Sequence, residues 1–140
     1  MAARTYDPNK ILASFNGVPI GGYADGTFLK IEMADDSFKK TVGASGEVAR
    51  TKSNDNSGTA TFTLLSSSPT NDLLMAIARQ DRLLNTGQGA FMVKDIGGTS
   101  LAAGNGWIKR IPNWESGKDL SNTEWVIDIE ILDMFRGGNI

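Results

Sequence analysis

A chain of 140 residues with 40% hydrophobic and 21% charged side chains is ordinary globular material, large enough for one core and small for two. It holds no cysteine and no histidine, which excludes disulfides, thiolate metal sites, cysteine nucleophiles and the Ser-His-Asp triad together. With a net charge of -2, it shows no basic patch of the kind a free-standing nucleic-acid binder carries.

The dominant hydrophobic period is two. Residues 11–15 form a short apolar run closed by the turn pair Asn16-Gly17. Pro19 and Gly21-Gly22 limit residues 18–23 to an edge strand at best. Residues 27–34 alternate, with Leu29, Ile31 and Met33 on one face and Phe28, Lys30 and Glu32 on the other. A long connection over residues 35–46 follows, then a short strand at 47–52 and a polar stretch at 53–58. Residues 59–65 are Thr-rich and β-branched, which favours sheet.

One helix interrupts the strands, expected over about residues 69–84. Ser68 can cap it, Pro69 suits its first position, and Asp72 complements the positive helix start. Leu73, Leu74, Ile77 and Leu84 make its apolar stripe, and Gly87 ends it. Strands resume at 90–96 and 107–111. The last strand is expected to run unbroken over 122–133, with Trp125, Ile127, Ile129 and Ile131 inward and Glu124, Asp128 and Glu130 outward. About seven strands and one helix, in this order, predict a mainly β protein, an antiparallel sandwich or barrel with one flanking helix. Residues 1–140 are expected to form a single domain. No apolar run reaches the roughly 18 residues of a membrane span, and residues 1–10 lack a signal-peptide core. Synthesis in a reducing cytosol, with no cleaved export signal, is the expectation.

The glycines at 17–26 lack a G-K-S/T and a strand-to-helix setting, so turns explain them better than a phosphate loop. Ser53, Asp55 and Ser57 mimic part of a calcium loop, but Leu64 stands where the closing glutamate belongs. The carboxylates Asp35 and Asp36, and those of the last strand, are more naturally a solvated face than an acid–base pair. Trp125 is in phase with the core, whereas Trp114 lies in a loop and suits an interface. Lys39, Lys40, Arg50 and Lys52 are either a solvated face or a surface for an acidic partner. From Glu115 to Asp133 there are six acidic side chains and one basic one, Lys118. No catalytic, cofactor or metal site is expected, nor a small-molecule substrate.

Several stretches carry a resemblance. Tyr6-Asp7-Pro8-Asn9-Lys10, Asn16-Gly17 and Ile20-Gly21-Gly22-Tyr23-Ala24-Asp25-Gly26-Thr27-Phe28 lead. Asp36-Ser37-Phe38, Val42-Gly43, Gly46-Glu47-Val48-Ala49-Arg50 and Ser68-Pro69-Thr70-Asn71-Asp72, with Leu74, follow in order. Together they resemble the tail tube proteins of contractile-tailed bacteriophages. That family is similar in fold to the Hcp tube protein of type VI secretion.

The resemblance implies a structural virion protein, not an enzyme. Its hexameric rings stack into the inner tail tube, through which double-stranded DNA passes in transit. It implies as partners the tail sheath protein and the tape-measure, baseplate hub and tail terminator proteins. In such tubes a long loop between early strands contacts the neighbouring ring. Here that loop is residues 35–46, with Asp35, Asp36, Phe38, Lys39, Lys40 and Val42 as contact candidates. Glu124, Asp128 and Glu130, or alternatively Lys30 and Glu32, are candidates for the lumen wall. Two other readings compete. One is an OB-like barrel that binds single-stranded nucleic acid. The other is the tube of a phage-derived bacteriocin, which carries no DNA.

Overall fold

The computed structural model describes residues 3–138. Its centre is the pair β6 (Gly58–Leu65) and β9 (Asn122–Ile129), antiparallel from Gly58 opposite Ile129 to Leu65 opposite Asn122. Both strands alternate without interruption, so the pleat sends one apolar set inward. Ala60, Phe62 and Leu64 meet Trp125, Ile127 and Ile129 there, all fully or almost fully buried. Outward, β6 presents Thr59, Thr61 and Thr63, whose branched Cβ suits a half-exposed pleat.

The other strands are β1 (Ile11–Phe15), β2 (Val18–Pro19), β3 (Leu29–Met33), β7 (Gly89–Asp95), β8 (Leu101–Ile108) and β10 (Asp133–Phe135). They extend the pair into one eight-stranded antiparallel sheet in the order β2-β1-β7-β8-β9-β6-β3, with β10 beside β8. The two ends of that path, β2 and β3, are neighbours in the chain. The segment between them crosses the gap: Tyr23 bridges Leu64, and the Ala24 N–H donates to the Thr63 carbonyl (3.0 Å). The sheet is thereby curled around a core that also holds Phe15, Phe91, Leu74 and Ala102. The mainly β, one-helix expectation holds.

β8 begins at Leu101, six residues before the expected strand at 107–111. Its first half, Leu-Ala-Ala-Gly-Asn-Gly, has little β-propensity, and pairing with β7 and β10 imposes the conformation. The last strand is also not continuous. Gly106 faces Ile129 but Ala103 faces Asp133, so three steps along β8 match four along its neighbour. The extra residue is a β-bulge, and it reverses the inside–outside alternation. Ile131, expected in the core, is therefore 62% exposed, and Leu132 is buried in its place. Gly104 makes room for this bulge: a Cβ there would run into the Ile129 side chain and the Ile131 carbonyl.

Helix α1 (Thr70–Leu84) starts one residue later than expected. Ser68 acts ahead of it: its hydroxyl accepts from the Thr70 N–H (3.3 Å) and donates to the Gly21 carbonyl (2.7 Å). The helix ends at Asn85, in the left-handed conformation, not at Gly87. Leu74 and Ala78 face the core, with Met75 and Ile77 at its margin. Leu73 and Leu84, expected in that stripe, are exposed, because α1 carries leucines on more than one face and only one face meets the barrel.

The expected long connection at 35–46 is largely a β-hairpin. β4 (Phe38–Val42) and β5 (Val48–Lys52) form a separate two-stranded sheet, an arm that leaves the barrel between Met33 and Gly58. Gly46, at φ 87°, gives its turn a backbone conformation that side-chain-bearing residues avoid. The Gly43 N–H closes that turn on the Glu47 carbonyl at 2.8 Å.

Candidate assembly surfaces

Every residue of β4 and β5 is exposed. Phe38, Lys40 and Val42 project from one face, with Lys52, Arg50 and Val48 opposite them in register. The Arg50 guanidinium stacks on the Phe38 ring at 4.2 Å. Lys39, Thr41, Ala49 and Thr51 take the other face. At the arm's base the Ser53 hydroxyl donates to the Asp35 carboxylate (2.7 Å), tying the two legs together. Nearby, Asp55 accepts from both the hydroxyl and the N–H of Ser57 (2.6 and 3.0 Å). Those two hydrogen bonds hold its carboxyl below the usual range. Asp36 is exposed beside Asp35 and joins no ligand set. Among the described residues no cluster of three or more His, Cys, Asp or Glu could hold a metal.

The outer face of β3, β6 and β9 collects most of the other singled-out residues. Glu32 pairs across to Thr59, and Thr59 to Asp128; Lys30 pairs to Thr61, and Thr61 to Val126. Glu124 lies opposite Thr63 on the same face. The two alternative sets read from sequence are thus one surface, linked through the threonines of β6. Lys30 and Glu32 form an ion pair at 3.3 Å, and the Thr59 hydroxyl reaches toward Asp128 at 3.4 Å. Glu130 stands apart, in the bulge, where its N–H donates to the Asn105 carbonyl. The rest of the sheet's outer face is mixed: Leu12, Lys94, Leu101 and Phe135 make one cross-strand row, and Ser14, Met92, Ala103 and Asp133 the next. Sequence reading missed this patch, because its members sit on four strands and only register brings them together.

At the far end of β6 and β9 from the arm, residues 109–121 form a long irregular connection. Trp114 is 92% exposed there, with its indole N–H on the Ser116 hydroxyl at 2.6 Å. Trp125 is the opposite case: it is buried, and its N–H donates to the Asn71 side chain of α1 (2.9 Å). Among the described residues one buried hydroxyl, that of Tyr23, has no hydrogen-bond partner, and burial pushes its pKa up.

The fold has known counterparts. It is similar to a tube terminating cap in the cryo-EM structure of the anti-feeding prophage cap, with a TM-score of 0.64 at 8% identity, over 96% of this chain and 94% of that one. It is also similar to a chain in the sheath-tube complex of PVC, an extracellular contractile injection system, in the extended state. There the TM-score is 0.61 at 11% identity, over 97% and 93% of the two chains. A curled sheet with a projecting arm and broad exposed faces is, in this company, a structural protein of the tail-tube class. The chain belongs to the bacteriophage PhiTE tail tube protein family, whose model matches residues 10–137. It is similar as well to structural protein ORF10 of Pseudomonas phage KPP10, 28% identical over 99% of this chain and 87% of that protein. As a phage tail structural protein, it is a component of the virion.

Proposed function

We propose that six copies of this chain form a ring, and that rings stack into the inner tube of a contractile tail, the conduit for DNA delivery. The family match over residues 10–137 carries this reading. The arm supports it, since a hairpin with no buried residue is a contact element in search of a neighbour. Phe38, Lys39, Lys40 and Val42, with Asp35 and Asp36 at the base, then make the contact between rings. The tube sits inside a sheath and ends at a terminator, as sheath-tube and sheath/tube terminator assemblies exist for its structural neighbours. The phage origin of the ORF10 relative favours a DNA-carrying tail over a bacteriocin tube.

The outer face of β3, β6 and β9 is the better lumen wall. Lys30, Glu32, Glu124 and Asp128 leave it net acidic among neutral threonine hydroxyls. Like charge keeps the phosphate backbone from sticking while it moves. The outer face of β1, β7, β8 and β10, which exposes Leu12, Met92, Leu101 and Phe135, would instead be covered by protein. The same acidic face argues against a single-strand-binding barrel, which needs a cationic groove. Negative-stain electron microscopy of the purified protein over a concentration series tests the conduit. Sixfold rings or hollow tubes are expected. Monomers throughout, binding single-stranded oligonucleotides in a salt-dependent way, would replace the tube with the binding module.

A further inference from the structure

The arm carries two costs that the isolated chain does not relieve. Lys40 lies directly across from Arg50, and like charges facing each other on neighbouring strands repel. A two-stranded hairpin with no third strand or covering layer is also marginal in water. Both costs fall on one face, where Phe38, Val42 and Val48 stand beside Lys40, Arg50 and Lys52. A surface that relieved both would be acidic with an apolar recess.

The molecule has such a surface at its other end. The arm leaves the sheet at Gly58, and residues 109–121 rejoin it at Asn122, opposite Leu65. The eight-residue length of β6 separates the two ends by about 23 Å. A cleft of about 440 Å³ lies there against α1, with Ile111, Pro112, Trp114 and Met75 as apolar lining. Glu115 and Asp72 supply carboxylates to the same cleft, and Asp119 is exposed on the same connection. The Glu115 carbonyl accepts from the Ser121 hydroxyl at 2.8 Å, which fixes this part of the connection. Among the described residues no ion pair engages Glu115 or Asp119.

We infer that the arm of one copy docks on the 109–121 connection of the next copy along the tube. Phe38, Val42 and Val48 pack toward Trp114, Ile111 and Pro112, and Lys40, Arg50 and Lys52 face Glu115, Asp119 and Asp72. The contact joins opposite ends of the same chain, so it is heterologous and continues as a filament instead of closing as a pair. The inference rests on the tube reading and adds to it the receptor surface for the arm.

The absence of cysteine makes the test clean. Lys40→Cys and Asp119→Cys, placed in one chain, should give a disulfide-linked ladder of multimers when assembled tubes are oxidised. Either substitution alone should not. Reversing Lys40 and Arg50 to glutamate should leave rings intact but raise the concentration for half-maximal stacking about tenfold, in a salt-sensitive manner. Reversing Glu115 and Asp119 to lysine in the same chain should recover most of that loss. Normal tubes that give no ladder and ignore the charge reversals would overturn this receptor assignment and leave the tube reading standing. So would Glu115→Lys and Asp119→Lys tubes that stack normally but no longer accept sheath. Absence of rings and tubes from the unaltered protein, even with its terminator present, would overturn both.

Discussion

In β6 every second side chain from Gly58 to Leu64 is buried, whereas β4 and β5, five residues each, bury none. β6 alternates apolar residues with threonine, whereas β4 and β5 place Phe38, Val42 and Val48 on one face with Lys40, Arg50 and Lys52. The layer available to receive each face differs as well. β6 finds β9 beside it and the core beneath, so its alternation becomes folding free energy. β4 finds only β5, and its mixed apolar and cationic face is left outward. An apolar face thus stabilises the monomer in one region, and a mixed one equips it for assembly in the other.

The comparison predicts a graded set of effects. Phe62→Ala should cost about 3–5 kcal/mol in chemical denaturation, because the surrounding core cannot collapse onto the lost ring. Gly104→Val should come next, at about 1–3 kcal/mol or more, since the bulge leaves no space for a side chain. Asn71→Leu should cost about 1–3 kcal/mol by leaving the buried Trp125 indole N–H unpaired. Phe38→Ala should change monomer stability by no more than about 0.5 kcal/mol, yet reduce tube yield in electron micrographs. A large monomer effect there would mean that the arm belongs to the folded core after all. Hydrogen exchange should sharpen the contrast, with β4 and β5 amides exchanging in the monomer long before those of β6 and β9.

The smallest effect concerns pH. The Asp55 carboxyl is held below its ordinary value by Ser57, so its contribution is present above the unfolded-state pKa and lost as pH falls through the lower folded-state value. Asp55→Asn should thus lower stability slightly at neutral pH, flatten the acid side of the profile, and leave stability below the folded-state value unchanged. An equal loss at neutral and at acid pH would remove the ionised carboxylate as the cause.

Much of the barrel was legible because β3, β6 and the first part of β9 alternate cleanly, β1 is a compact apolar run, and Trp125 kept phase with its neighbours. Period counting fails where a strand gains a residue, so Ile131 was assigned to the wrong side. It also fails where pairing overrides composition, as in the alanine- and glycine-rich start of β8. The first strand of the arm was hidden by its own composition: Gly43 and Gly46 so close to Val42 read as loop, and Phe38-Lys39-Lys40-Thr41-Val42 carries no alternation to oppose that reading. Of the surfaces, the charged residues were visible singly. Their union on one face depends on β6 lying between β3 and β9, a long-range pairing that no local pattern encodes.

The bulge between β9 and β10 has a genetic consequence. Loss of codon 130 or 131 would keep the reading frame and remove the extra residue, so that three steps would match three. Ala103 would still face Asp133, and Leu132 would still share the inward parity of Ile129. A one-codon loss inside β6, where no residue is extra, would instead turn Phe62 or Leu64 outward. The bulge is thus the place in the sheet where the smallest in-frame deletion preserves the register beyond it.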